Sequence, residues 1–184
     1  MSLFTGKGDD GATSTYGCDQ KMSKSSIVAE ALGSLDEINS FLGICKVAAE
    51  RRNFVIANKR FEAIIHLLQQ TLFAVQAQVA GFPMDVLEEK TKELETIIVA
   101  CEKEMPPIKT FFISGGTELA AKFDFARTIA RRAERRVVAV SEEGKVQIQP
   151  ATLAFLNRLS SILYALARLS NHKSGITEES PNYK

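Results

Sequence analysis

Arg127, Arg131 and Arg135 recur every four residues, and Glu134 sits between the last two. On a helix this spacing sets the three guanidinium groups in one row, while Arg132 and Arg136 project from another side. A local basic patch of this kind can serve a phosphate ligand. The plainer alternative is a solvated basic face with Glu134 as an intrahelical partner, and exposed pairs of that sort contribute little. Ala126, Ala130 and Ala133 favour a site. Small residues at packing positions let a neighbouring helix approach closely, which brings the arginine row to a helix or subunit junction.

A second candidate is TGKGDDGATST, Thr5 to Thr15. Glycines, hydroxyls and a lysine in this density are the chemistry of a backbone wrapped around phosphate oxygens. Lys24 adds a positive charge nearby. The segment has no Gly-Lys-Ser/Thr at P-loop spacing and no strand before it, so neither a P-loop nor a Rossmann turn is indicated. A flexible terminus is the competing reading. Asn157, Ser161, Tyr164 and Arg168 form a polar line that reads as a boundary between core and solvent. Asp36 and Glu37 lie among apolar residues, where one of them can meet an arginine from elsewhere. His66 and His172, the only two histidines, have no carboxylate or cysteine at metal-ligand spacing. No serine or cysteine is accompanied by a recognisable base motif, so covalent hydrolytic catalysis has no support.

Five apolar stripes at a three-to-four-residue period must position these groups. The first runs from Ser26 to Glu50 through Ala31, Leu35, Ile38 and Leu42. The second runs through Phe61, Ile65, Leu68, Leu72 and Val79 to Gly81 and Pro83. Asp85 is the expected N-cap of a third helix, through Leu87, Leu94, Ile97 and Cys101, which Pro106 and Pro107 end. After Ile108–Ser114 and a Gly115-Gly116 turn, the fourth carries Leu119, Phe123, Ala126, Ala130, Ala133, Val137 and Val140 up to Gly144. Pro150 opens the fifth, with Leu153, Leu156, Leu159, Leu163 and Leu166, and Gly175 ends it.

Long helices, short connections and almost no strand signal predict an all-α five-helix bundle. At 184 residues the chain forms one domain, 1–184, with 1–25 as a glycine-rich arm and 174–184 as a frayed polar tail. The 23 basic and 22 acidic side chains leave a net charge of +1, which gives no reason to expect nucleic acid. No apolar run reaches the roughly 18 residues of a membrane span. Three widely spaced cysteines outline no disulfide framework and suit a reducing, cytoplasmic setting.

Four segments together resemble the PduO-type family of ATP:cob(I)alamin adenosyltransferases over nearly the whole chain. They are TGKGDDGATST, KSSIVAEALGSLDEIN from Lys24, FFISGG at Phe111–Gly116, and ARTIARRAERRVV followed by FLNRLSSILYALAR. The resemblance implies a homotrimer with ATP and a corrinoid bound where two subunits meet. It places Thr5, Gly6, Lys7, Gly8, Thr13, Ser14 and Lys24 around the nucleotide, opposite Arg131, Arg132, Glu134, Arg135 and Asn157. It makes Asp36 and Arg127 an ion pair across subunits beside the corrinoid, and Phe111, or alternatively Phe112, the ring against the lower face of the corrin. Magnesium is expected to be held mainly by the ATP phosphates. A reductase and a B12-dependent enzyme are the implied partners.

The sequence departs from the family pattern in three places. Gly6 stands where a basic residue is usual, Asp10 where lysine is frequent, and Ile-Ser-Gly-Gly at Ile113–Gly116 replaces Leu-Pro-Gly-Gly. Two other classes compete with the enzyme: a non-catalytic ATP or corrinoid carrier or sensor of the same fold, and a helical nucleic-acid binder using Arg127–Arg136.

Overall fold

A computed structural model describes residues 4, 6–14 and 21–183. Five helices make up the domain: α1 Ile27–Glu50, α2 Phe61–Val79, α3 Glu88–Glu104, α4 Glu118–Glu143 and α5 Pro150–Lys173. Extended pairing is confined, among the described residues, to two antiparallel ladders. One joins β1 (Ala12–Thr13) to β2 (Met22–Ser23), and the other joins β3 (Val55–Ile56) to β4 (Lys59–Arg60) between α1 and α2. The expected all-α bundle is the observed fold, and part of the expected loop-like arm is paired backbone.

α4 packs on both α5 and α1, α1 also packs on α2, and α3 packs on α5. The stripe positions of α4, including Ala126, Ala130 and Ala133, are buried, as are Leu35, Ile38 and Leu42 of α1 and Leu156, Leu159, Leu163 and Leu166 of α5. Helix ends follow local chemistry. Ser26 and Thr117 cap α1 and α4 by accepting the N–H groups of Ala29 and Ala120. Gly144 ends α4 in the left-handed conformation, at φ +74°. No helix is long and apolar enough to cross a membrane among the described residues.

Two expectations are corrected. Asp85 is exposed and caps nothing; α3 starts three residues later behind Leu87, which is itself 58% exposed rather than part of the stripe. The residues ahead of it are spent on crossing the bundle. Val86 is buried, and the Gln78 amide donates to the Met84 carbonyl at 2.8 Å, so the backbone there stays extended. Glu88 and Glu89 then supply negative charge to the first turn in place of a cap.

The second correction concerns the tail after Gly175, which is tied down rather than frayed. The N–H of Ile176 donates to the Asn171 carbonyl, and Glu178 forms an ion pair with Arg168. The N–H of Ile113 donates to the Glu179 carbonyl at 2.8 Å. The buried guanidinium of Arg168 needs countercharge, and the tail delivers it.

Candidate functional site

The arginine row is divided by the packing of α4. Arg132 forms an ion pair with Glu37, and Arg136 one with Glu30 at 3.3 Å, so these two fasten α4 to α1. Glu37 is thus the acid of the Asp36–Glu37 pair that meets an arginine. Arg132 does not line the cleft expected for it.

Arg131 and Arg135 face the other way. Together with Glu134, Val138 and Asn157 they line a cleft of about 390 Å³ between α4 and α5. The Asn157 amide donates to Glu134 Oε1 at 3.0 Å. Its own oxygen accepts from Arg158 at 2.6 Å, and Arg158 Nε donates to Glu95 at 2.7 Å. This relay orients Asn157 and engages Glu134 across the cleft rather than along the helix. Both Arg131 and Arg135 are exposed, so the cleft carries two cations against one carboxylate.

A larger cavity, about 890 Å³, continues along the same helix pair. Arg127, one turn before Arg131, lines it, as do Ser160 and Ser161, one turn beyond Asn157. The residues that line the two hollows are therefore offset by one helical turn, about 5 Å, along α4 and α5. Phe111, Phe112, Asp124 and Tyr164 complete the working part of its wall. Phe111 is 77% exposed, whereas the Phe112 ring lies 5.9 Å from the Arg168 guanidinium.

Arg127 is 5.9 Å from the Tyr164 ring, and its Nε is buried without a hydrogen-bond partner. Neither Asp36, which is exposed on α1, nor Arg127 has an ion-pair partner among the described residues. Burial raises the Tyr164 phenol above its ordinary range, so it stays protonated at neutral pH.

The arm is organised around Lys24. Its ammonium donates to the Gly8 carbonyl at 2.7 Å, and its backbone N–H to the Gly11 carbonyl at 3.0 Å. A Cβ on Gly8 would stand 3.0 Å from Lys24 Nζ and 3.1 Å from the Ala12 oxygen, so glycine leaves room for this approach where a larger residue would crowd it. Asp10 is accounted for locally: its carboxylate accepts the Ala12 N–H at 3.0 Å and pairs with Lys21 at 3.2 Å. These contacts, the backbone bond foremost, lower its pKa. Gly6, Lys7, Gly8, Thr13, Ser14 and Lys24 all belong to this arm, while Thr5 lies outside the described residues.

Sequence reasoning missed Asp124, Asn171 and Glu178, and it placed Arg168 at a solvent boundary. Arg168 is 2% exposed and bonds Asp124 at 2.6 Å. Asp124 also accepts the Gly115 N–H at 3.0 Å. The available signal was an aspartate beside Phe123 on a buried stripe, with an arginine among the leucines of α5. Gly116, at φ +93°, presses on Asn171 so closely that a Cβ would meet its Oδ1 at 2.5 Å. Gly116→Ala should therefore lower folding stability by about 1–3 kcal/mol in denaturant titration; an unchanged midpoint would contradict this packing.

Cys45 and Cys101 are buried free thiols raised by burial to about 12, protonated at neutral pH and unsuited to nucleophilic attack. Cys18 is outside the described residues. Among the described residues no group of three His, Cys, Asp or Glu side chains could hold a metal ion.

Fold and site together define a helical bundle in which one helix pair carries an arginine-lined cleft and an adjoining cavity walled in part by Phe111, Phe112 and Tyr164. Residues 3–170 match the cobalamin adenosyltransferase family. The chain belongs to that family. It is 34% identical to the corrinoid adenosyltransferase PduO of Citrobacter freundii over 94% of its own length and 50% of the relative's, so it spans about half of that protein. It is 36% identical to a corrinoid adenosyltransferase of Bacillus subtilis, over 96% of this chain and 90% of that one. A variant PduO-type ATP:corrinoid adenosyltransferase from Lactobacillus reuteri, complexed with cobalamin and ATP, superposes with a TM-score of 0.86. That match has 29% identity over 99% of this chain and 97% of the other.

Proposed function

We propose that the protein transfers the 5′-deoxyadenosyl group of ATP to the cobalt(I) of a corrinoid, making adenosylcobalamin. The observation that carries this reading is the one-turn offset, along α4 and α5, between the Arg131–Arg135 cleft and the cavity of Phe111, Phe112 and Arg127. An anion-binding cleft set one turn from an apolar cavity suits a nucleotide whose sugar must face a flat, largely apolar partner. The similarity to a protein complexed with cobalamin and ATP supports the same pairing.

In the reaction, the cobalt(I) electron pair forms the bond to the 5′ carbon as the carbon–oxygen bond breaks, and triphosphate leaves with the electron pair of the broken carbon–oxygen bond. The protein supplies neither nucleophile nor base. Positioning the two substrates contributes on the order of 7–11 kcal/mol to lowering the barrier. Arg131, with Lys7 and Lys24 of the arm, stabilises charge gathering on the triphosphate. Arg135, Glu134 and Asn157 fix the nucleotide, with Gly6, Gly8, Thr13, Ser14 and Thr5 closing the arm over it. Arg132 contributes through its hold on α1. Glu134 is the only carboxylate lining the cleft among the described residues, so magnesium rides on the phosphates rather than on a protein cage.

Phe111 faces the corrin, because it is the exposed ring, while Phe112 packs inward on Arg168. An apolar ring excluding water from the lower axial position makes cobalt(II) easier to reduce.

The unpaired Asp36 and the orphaned Arg127 Nε support a trimer in which these two groups meet across subunits. The half-exposed Ile44, Val47 and Phe125 on α1 and α4 offer apolar surface for that contact. The buried free thiols fit a cytoplasmic location. A reductase must supply the reduced corrinoid, and a B12-dependent enzyme consumes the product.

Incubation with ATP and chemically reduced cobalamin tests the activity: a light-sensitive cobalt–carbon bond should form and triphosphate should be released. Binding of both substrates with no such product would leave the carrier or sensor reading standing instead. Steeply salt-dependent binding to DNA or RNA would favour the nucleic-acid reading.

A further inference from the structure

We infer that Arg168 is a positioning residue: clamped between Asp124 and Glu178, it sets the loop 111–117 so that Phe111 projects into the corrinoid cavity. This rests on the activity proposed above.

Arg168 is the largest fully buried side chain among the described residues and sits on a helix whose buried face is otherwise mainly leucine and alanine. A buried ion pair gains little over a well-packed apolar side chain once desolvation is counted, so a leucine would serve the core as well. What the guanidinium adds is one directed bond and one close charge contact. One nitrogen bonds Asp124, whose same oxygen receives the Gly115 N–H, and another pairs with Glu178 of the tail.

Asn171, one turn further on, accepts the Thr117 N–H at 2.9 Å and donates to both the Gly115 carbonyl and Glu178 at 2.8 Å. The Ile113 N–H is taken by Glu179. The backbone of the loop is thus tethered at Ile113, Gly115 and Thr117 to groups gathered around one guanidinium. That group also lies 5.9 Å from the Phe112 ring and 5.1 Å from that of Tyr164. Phe112, with Met105 and Ile108, lines both the large cavity and a smaller one of about 310 Å³ on the tail side, so it forms part of the wall between them. Fixing Phe112 fixes the backbone from which Phe111 extends.

The arrangement also substitutes for a stiffer loop. Ser114 occupies the position where the family pattern has proline, and side-chain bonds here provide the rigidity that a fixed φ would otherwise give.

The test uses Glu178→Ala and Glu178→Gln in the full chain. Glu178 lies outside the helices and Arg168 keeps Asp124 when it is truncated, so the bundle should stay folded with a lowered melting midpoint, which thermal melting checks. Glu178→Ala should reduce adenosylation turnover about tenfold or more, since a misplacement of about 1 Å can cost a hundredfold. It should also diminish the electron paramagnetic resonance signal of cobalt(II) lacking an axial ligand, and speed hydrogen exchange at Ile113, Gly115 and Thr117. The dissociation constant for ATP should change less than about twofold, because the cleft of Arg131 is untouched. Glu178→Gln keeps an acceptor for Arg168 and Asn171 and should restore most of the cobalt signal.

Wild-type turnover and cobalt signal in Glu178→Ala would overturn the inference, and so would parallel losses of ATP affinity and turnover. Absence of turnover in the wild-type protein would instead overturn the proposed activity.

Discussion

Arg131→Ala should weaken ATP binding by about 2–5 kcal/mol in calorimetry, the range for removing one member of a desolvated charge pair. Arg131 is exposed in the single chain, so an effect of this size requires that the bound nucleotide and the proposed closure of the arm cover it. The adjacent Arg132 is the natural comparison. Its pair with Glu37 is roughly half exposed on both sides, and Arg132→Ala should cost less than about 1 kcal/mol in stability with ATP affinity nearly retained. The affinity loss in Arg131→Ala should also shrink at high salt if solvent reaches the site. Equal losses from the two substitutions, or none from Arg131→Ala, would remove the α4–α5 cleft as the nucleotide site.

Phe111→Ala should lower adenosylation by about ten- to a hundredfold while leaving the ATP dissociation constant unchanged. Because the ring is 77% exposed, its loss should alter folding stability by no more than about 0.5 kcal/mol. Phe112→Ala should behave differently. It removes a ring packed on the Arg168 guanidinium, so it should lower the unfolding midpoint as well as turnover. Identical phenotypes for the two phenylalanines, or a fall in ATP affinity matching the fall in turnover for Phe111→Ala, would sink the assignment of Phe111 to the corrin face.

Together these substitutions separate the halves of the proposed reaction. One half concerns holding a polyphosphate, which depends on cations that the fold leaves facing a cleft. The other concerns keeping water from cobalt, which depends on where an apolar ring is aimed. A chain that merely stored its ligands would need the first far more than the second.

The helices are legible because each buries one stripe, and burial at a three-to-four-residue period leaves a direct trace in the order of residues. Leu119 to Val140 on α4 and Phe61 to Val79 on α2 are buried as their spacing indicates. The start of α3 is not legible. Asp85 has the chemistry of a cap, but the pull of Val86 into the core and the bond from Gln78 to Met84 outweigh one local hydrogen bond. The polar tail reads as idle for a similar reason. Its composition says nothing of Arg168, a buried cation on α5 that Asp124 of α4 meets from one side and Glu178 of the tail from another. In the arm the glycines and Lys24 stand out from the order of residues, while the pairing of β1 with β2 depends on residues some ten positions apart and leaves no periodic trace.

By itself, the sequence determined five amphipathic helices and an arginine row at helical spacing, since these depend on neighbours within a few residues. Only the tertiary structure decided which arginines fasten helices and which face a cleft. Packing of α4 on α1 commits Arg132 and Arg136 to Glu37 and Glu30, and leaves Arg131 and Arg135 facing α5. It likewise decided that Arg168 lies inside, with Asp124, Asn171 and Glu178 around it, because countercharge for a buried cation can come from any distance along the chain.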